Sequence, residues 1–481
     1  MYMWKQIVLI SFITASFLTL VVVAALSDSL DFKTLTVPLF EVGEFCKHAV
    51  STVTTDGWSD LLARNYLDFF LLFRIGVYAT LAYVTISILR WLYQFLFCNM
   101  DRTRVLGTTG YVPDGVLSMK EIANGVRRRR RVGDIPPVYP NGWFGLIESH
   151  KLAIRQTVPI SILGLNLALF RDEKGNAHAL NAYCPHLGAH LAVGGRVLGN
   201  CIECPFHGWR FRGDDGKCVY IPYADKIPDV AQVKSWPIQD VNGWIYLWYH
   251  AEGLEPTWVI PEIEDIVKGN WTYKGRTEHH VNAHIEEIPL NGADVIHLNQ
   301  VHGPGLVAGV DLRHMYARFW EFIKHIWTAT WEPYPPPDGH LASITLKHCL
   351  NLCGVPFKML NLDVFARQIG PAIVYLEFRS IFGKGIYIQS VIPTEPMVQK
   401  VVHNIYVSKS VPTLFAKFLL LAEAIQFERD IMIWNNKQYQ HKPVFVKSKE
   451  DSLMMRHRRW FSQFYSENSP RMTFQKESLD W

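Results

Sequence analysis

Apolar residues follow three different rhythms along this 481-residue chain. In the first hundred residues they gather into two long stretches. Ile7 to Leu26 carries no charge and is long enough to cross a bilayer. Phe69 to Cys98 is a second such stretch, broken by Arg74 and Arg90, whose long stems let their charged heads reach an interface from either end of the clean centre Ile75–Leu89. After about residue 136 the rhythm shortens to strand-like runs between turn residues: Ile160–Phe170, a Glu173-Lys-Gly175-Asn turn, Ala177–Ala182, Val233–Ile238 and Trp244–Tyr249. Pro237 lacks an N–H and so places the run that contains it at a sheet edge. Beyond residue 255 come longer strand-like runs at 322–330, 341–350, 372–379, 386–392 and 401–408. A helical pattern then starts near Pro412, which a first turn accepts, and continues to about Asn436.

These rhythms predict an α+β chain in five parts. Residues 1–98 form a membrane region with one or two spans (7–26 and 69–98), and 99–135 a basic linker. Residues 136–254 form an all-β module, 255–445 a helix-grip-like domain with an antiparallel sheet around a long C-terminal helix, and 446–481 a tail. Strands wrapped around such a helix leave room for an apolar cavity between the two layers. The first apolar stretch reads either as an uncleaved anchor or as a signal peptide with Ala24-Ala25 near its cleavage site. Basic charge follows the second: Arg102, Arg104 and the unbroken run Arg127–Arg131. The positive-inside rule then puts everything after about residue 98 in the cytoplasm, so the sequon at Asn270-Trp-Thr272 is expected to stay bare. The expected location is the endoplasmic reticulum membrane. The arginine run fits anionic headgroups or a solvated linker equally. At 48 basic against 44 acidic side chains, the overall charge balance gives no reason to expect a nucleic-acid partner.

Eight cysteines are too few and too scattered for a disulfide framework, and Cys349 and Cys353 read as buried free thiols. Two of the eight stand apart. Cys184-Pro-His186 and Cys204-Pro-Phe-His207 are separated by seventeen residues, and both lie on loops of the β module, because Pro185 and Pro205 argue against helix there. Two thiolates and two imidazoles at this spacing suit a Rieske two-iron two-sulfur cluster, with cysteines on one iron and histidines on the other. Leu187-Gly188 and Gly208-Trp209 fit the loops that would cradle it. Zinc also accepts Cys₂His₂, but zinc fingers do not mix a C-x-H with a C-x-x-H hook across such a gap.

A second constellation is Asp294-x-x-His297-x₄-His302. Two histidines and a carboxylate make the facial triad of non-heme iron(II) oxygenases, which leaves positions open for dioxygen. Residues five apart do not share a helix face, so the helix must distort or end there, and Gly303-Pro304-Gly305 supplies the end. Asp294 stands close enough to serve as the carboxylate or as a group behind the ligands. The long helix offers Glu423, Glu428 and Asp430, of which Asp430 precedes the apolar Ile431-Met-Ile433-Trp434. Among nineteen histidines, His190, His279, His280 and His284 read as structural.

Together the hook pair, Asn291-x-x-Asp294-x-x-His297-x₄-His302 and Asp430-Ile-Met-Ile-Trp434 resemble the Rieske non-heme iron oxygenases over residues 136–445. The resemblance implies that Cys184, His186, Cys204 and His207 hold the cluster. It further implies that His297, His302 and Asp430 hold the mononuclear iron, and that Asp294 bridges electronically to His207, usually across subunits of a head-to-tail homotrimer. The N-terminal membrane region, the Pro-Pro-x-Tyr-Pro-Asn-Gly-Trp-Phe entry and Cys201-Ile-Glu-Cys204-Pro-Phe-His-Gly-Trp are similar to the animal Neverland group. That likeness implies desaturation of cholesterol at C7–C8 for steroid hormone synthesis, with substrate arriving from the bilayer. No Gly-rich dinucleotide fingerprint follows a strand, so electrons from NAD(P)H must come through a separate reductase or ferredoxin. A hydroxylase or demethylase of another lipid is the rival within enzymes. A membrane-tethered Rieske electron carrier is the rival outside them, but the positions of its extra disulfide hold Ala189 and Phe206 here.

Overall fold

A computed structural model describes residues 58–105, 135–357 and 360–472. The chain divides into two units, 1–96 and 97–481. In the first, helix α1 (Trp58–Phe97) contains the stretch Arg74–Phe97, long and apolar enough to cross a membrane. Ile75, Leu81, Tyr83 and Trp91 on it are all exposed, on different sides of the helix, an arrangement that suits lipid better than water. The stretch 7–26 and the arginine run 127–131 lie outside the described residues.

The second unit begins with β1 (Met100–Val105) and continues into eleven short strands. These are β2 (Gly142–Glu148), β3 (Thr157–Ile162), β4 (Leu165–Arg171), β5 (Ala177–Asn181), β6 (Arg196–Leu198), β7 (Cys201–Glu203), β8 (Arg210–Arg212), β9 (Cys218–Tyr220), β10 (Ser235–Trp236), β11 (Ile238–Val241) and β12 (Trp244–Tyr249). They pair into three small antiparallel sheets, in the orders β10-β5-β4-β3, β11-β12-β2 and β6-β7-β8-β9. Pro237 divides one predicted strand in two, and each half is an edge strand of a different sheet.

A larger sheet follows, built from β13 (Trp271–Val281), β14 (Ile323–Pro333), β15 (Leu341–Leu352), β16 (Val355–Pro356), β17 (Leu362–Ile369), β18 (Ile373–Ser380), β19 (Gly383–Glu395) and β20 (Val398–Ser408). Its order is β1-β13-β20-β19-β18-β17-β15-β14, with β16 hanging on β15. Short helices α2 (Glu287–Leu290) and α3 (Val295–Gln300) interrupt it, and the long α4 (Thr413–Trp434) packs against β13 and β20. One apolar core runs from the small sheets into the large one: Trp143, Phe144 and Trp244 belong to the same cluster as Val281, Ile386 and Phe427. Across that seam the Trp244 indole donates to Asn404 at 3.0 Å, and Asn242 donates to the Tyr375 hydroxyl at 2.7 Å.

Three expectations need correction. Residues 100–105 are not linker but strand β1, parallel to β13. Their polar sequence hides this because the partners are distant: Asp101 pairs with Arg276, while Arg102 and Arg104 pair with the buried Glu428. Residues 449–461 are not tail but helix α5 (Lys449–Phe461), capped by the Ser448 hydroxyl, with Trp460 and Phe461 buried. Cys349 and Cys353 are not buried; one is half-buried on β15 and the other exposed in the turn after it.

The fully buried Trp331 on β14 meets His457 and Trp460 of α5 edge-on, at ring separations of 5.3 and 5.9 Å. Trp331→Ala should therefore cost about 3–5 kcal/mol, read as a fall in the urea midpoint of the second unit. An unchanged midpoint would show that α5 adds nothing to the fold.

Candidate metal centres

Both Cys/His hooks are loop tips of the small sheets. Cys184 and His186 follow β5, while Cys204 and His207 join β7 to β8. The two loops close alike: the amide of Gly188 donates to the Cys184 carbonyl and that of Gly208 to the Cys204 carbonyl. Both glycines sit at positive φ (75° and 72°), and a Cβ on Gly208 would lie 2.9 Å from Pro222. The result brings the two hooks face to face. The imidazoles of His186 and His207 are 4.7 Å apart, and His186 stacks on Trp209. Both thiols are buried, and burial together with the neighbouring Cys204 pushes the Cys184 thiol up to about 11. His186 Nδ1 is buried without a hydrogen-bond partner. Adjacent thiols and an unsatisfied imidazole nitrogen fit a cluster, whose binding would release the thiol protons. The imidazole side is half-exposed and rimmed by the exposed Leu187, Val193 and Phe206.

The second constellation is assembled from two distant elements. Asp294 caps α3, its carboxylate accepting from the His297 amide at 3.2 Å. The helix ends at Gln300, so His302 falls just beyond it, as the glycine-proline break predicts. Asp430 arrives from the last turns of α4. Ligand atoms of His297, His302 and Asp430 lie within 4.8 Å of one another. Asp294 stands outside that trio, behind His297, and Glu428 turns away to Arg102, Arg104 and His279.

Hydrogen bonds fix which nitrogens face inward. His297 Nδ1 donates to the Asp294 carbonyl, which leaves Nε2 with a bare lone pair. Gln426 Oε1 already accepts from Arg429 at 3.1 Å, so His302 Nδ1, 2.9 Å from the same oxygen, must be a donor too. The bare Nε2 of His302 then faces Asp430 Oδ2 at 3.2 Å. Two acceptors at that distance repel unless a cation or a proton stands between them. Burial and the His302 ring hold the His297 pKa below its usual value, against the pull of Asp430, which keeps the ring a neutral ligand. This donor set fits a divalent iron with open positions.

Gln426 and Arg429 were not legible as site residues in the sequence. The Arg429 guanidinium is fully buried and donates to the carbonyls of Val301, Pro304, Gly305 and Gly309 at 2.8–3.2 Å. It thereby ties the segment after α3 to α4. A signal was available in hindsight: an arginine inside an apolar helix next to Asp430 needs partners.

His302 and Asp430 open onto an apolar cavity of about 370 Å³, walled by residues such as Leu298, Ile323, Leu346, Val364, Phe415 and Phe418, and His297 faces the smaller compartment beside it. A second compartment of about 190 Å³ shares His302, Glu423, Phe427 and Asp430 with it. Within the larger one His325 and His348 pair at 2.6 Å, and burial, with His348 acting on His325, lowers them to about 3 and about 4. Neither ring carries charge at neutral pH.

Comparison with known proteins decides the family. Residues 142–237 match the Rieske [2Fe-2S] domain and residues 247–465 the 3-Ketosteroid 9alpha-hydroxylase C-terminal domain. The cholesterol 7-desaturase nvd of Xenopus laevis is 52% identical over 392 residues, 81% of this chain and 86% of that protein. The chain belongs to the cholesterol 7-desaturase family of Rieske oxygenases. Other members similar to it are the cholesterol 7-desaturases of Caenorhabditis elegans (42% identical, 81% of this chain and 92% of that protein) and Drosophila melanogaster (41%, 71% and 78%). Among solved structures, dicamba monooxygenase bound to 3,6 dichlorosalicylic acid shares the fold at a TM-score of 0.50 and 16% identity, over 67% of this chain and 96% of that one. As a Rieske non-heme iron oxygenase, the chain is an oxidoreductase that uses a 2Fe–2S cluster, a mononuclear iron, dioxygen and reductase-supplied electrons.

If Gln426 fixes the His302 ring, Gln426→Leu should weaken iron(II) binding about 10- to 100-fold. Titration of the apoprotein with iron(II) would measure this, and unchanged affinity would count against the role.

Proposed function

We propose that this chain desaturates cholesterol at C7–C8 to 7-dehydrocholesterol, using dioxygen and electrons from NAD(P)H through a separate reductase or ferredoxin. The observation that carries the reading is the convergence of His297, His302 and Asp430 at the meeting of a small compartment with a larger apolar cavity, in a chain 52% identical to a cholesterol 7-desaturase. In this reading Cys184, His186, Cys204 and His207 hold the cluster, and His297, His302 and Asp430 hold the iron. When bound, the iron supplies open positions for dioxygen and the cluster supplies single electrons.

The chain's own residues do the rest. The hydrocarbon walls of the cavity exclude water and hold a rigid ring system so that C7 and C8 lie beside the trio, which decides where hydrogen is removed. Gln426 and the Asp294 carbonyl keep both imidazoles turned to the same point. The Asp294 carboxylate, partly exposed beside His297, is the electronic bridge to His207 of a neighbouring subunit in a head-to-tail trimer. The half-exposed imidazole side of the cluster, with its apolar rim, suits that contact. Helix α1 anchors the chain in the endoplasmic reticulum membrane with residues after 98 facing the cytoplasm, and the sterol enters from the bilayer.

Purified full-length protein, given cholesterol, a reductase system and dioxygen, should yield a sterol lighter by two hydrogens in mass spectrometry. A product heavier by one oxygen would instead make the chain a hydroxylase, the activity named for the family matched by residues 247–465. His302→Ala should abolish product and leave the visible spectrum of the cluster intact. Survival of turnover would show that the iron ligands are misassigned.

A further inference from the structure

Converting a CH–CH unit to an alkene with dioxygen and two reductase electrons yields two waters. Two of the four hydrogens come from the sterol and two must arrive as protons from solvent. Those protons have to enter a cavity whose walls are almost wholly hydrocarbon. Besides Asp430, Glu423 is the one carboxyl lining both compartments among the described residues. It stands two turns before Asp430 on the same face of α4. No Lys or Arg among the described residues pairs with it; its partner is His403, whose Nε2 lies 3.1 Å from Glu423 Oε1. The other oxygen, Oε2, is buried with no hydrogen-bond partner.

We propose that Glu423 hands protons to dioxygen as it is reduced at the trio, and that His403 returns them from outside. This rests on reading the site as that of an oxygenase. The carboxyl gives up its proton to the oxygen being reduced, the carboxylate is reprotonated from the His403 side, and a second passage completes the two protons that each dioxygen consumes. Burial, with Asp430 and Glu428 on neighbouring turns, raises the Glu423 carboxyl well above its ordinary range, which favours its protonated form. Tyr387 is the other titratable group that feels its charge.

Behind it a line of polar groups leads out through the apolar core. His403 on β20 and His279 on β13 are diagonal neighbours on one face of paired strands, since His403 sits opposite Thr277. Both rings flank Phe427, at 4.9 and 5.4 Å, and both have a buried, unpartnered Nδ1. His279 Nε2 lies 3.3 Å from Glu428, and Glu428 meets Arg102 and Arg104, whose side chains are 25% and 41% exposed. A structural role for Glu423 alone gives no reason to leave one carboxyl oxygen buried without a partner and to set two histidines in series behind it.

The test compares wild type with E423Q and E423D, full-length and loaded with iron and cluster. E423Q should keep iron content and cluster spectrum, lose about 10²-fold or more in the single-turnover rate, and release hydrogen peroxide in place of product. E423D should recover part of the rate. Wild-type rate and coupling in E423Q, or a raised KM with unchanged kcat, would overturn the proposal. His403→Gln gives a second reading that leaves the carboxyl in place: slowed, uncoupled turnover is expected, and full coupling would sink the relay. Hydroxylation also consumes two protons per dioxygen, so an oxygenated wild-type product would refute the desaturase reading and leave this test standing.

Discussion

A guanidinium enclosed by four backbone carbonyls holds the catalytic half of this protein together. Among the described residues Arg429 has no carboxylate partner in hydrogen-bond contact; it satisfies its N–H groups on Val301, Pro304, Gly305, Gly309 and the Gln426 side chain. Burial lowers its pKa to about 10, which still leaves it charged at neutral pH. A buried cation that lost these acceptors would cost several kcal/mol, so the loop that follows α3 has little freedom to leave α4. That loop begins at His302, and the residue after Arg429 is Asp430. The position of one buried charge thus sets the distance between two members of the His297–His302–Asp430 trio, from elements more than a hundred residues apart.

The same cavity shows how neutrality is maintained around a metal centre. His325, His348 and His403 are held uncharged by burial, and burial with nearby carboxylates raises Glu423 well above its ordinary range. The permanent charges sit elsewhere, on Arg429 behind the trio and on the Arg102–Arg104–Glu428 cluster at the sheet edge. A hydrocarbon substrate therefore meets walls without formal charge, and the open faces of the trio are where charge concentrates. Such an arrangement favours a large apolar ligand and disfavours polar ones, because a polar group brought in would find few partners.

The cluster loops obey a different logic. Their geometry is local: each cysteine's carbonyl is capped four residues on by a glycine at positive φ, and a proline follows each cysteine. Two such loops pointing at one another need only the short hairpins β6–β9 and the end of β5 to hold them. Burial of both thiols with the imidazoles left half-exposed gives the centre a protected end and an outward one.

What the sequence determined by itself follows from this contrast. Ligand spacings such as C-x-H, C-x-x-H and H-x₄-H are readable because a loop or a helix end imposes them over a few residues, and so are the long α4, the break at Gly303-Pro304-Gly305 and most strands of the large sheet. The tertiary structure alone decided which carboxylate joins the two histidines, since Glu423, Glu428 and Asp430 differ only in what lies opposite them. It alone made a strand of the polar residues 100–105, whose hydrogen bonds and ion pairs come from β13 and α4, and a buried helix of 449–461. It also gave Gln426 and Arg429 their work. Periodicity reports which side of an element is apolar; a polar residue's role depends on partners that only folding brings within 3 Å.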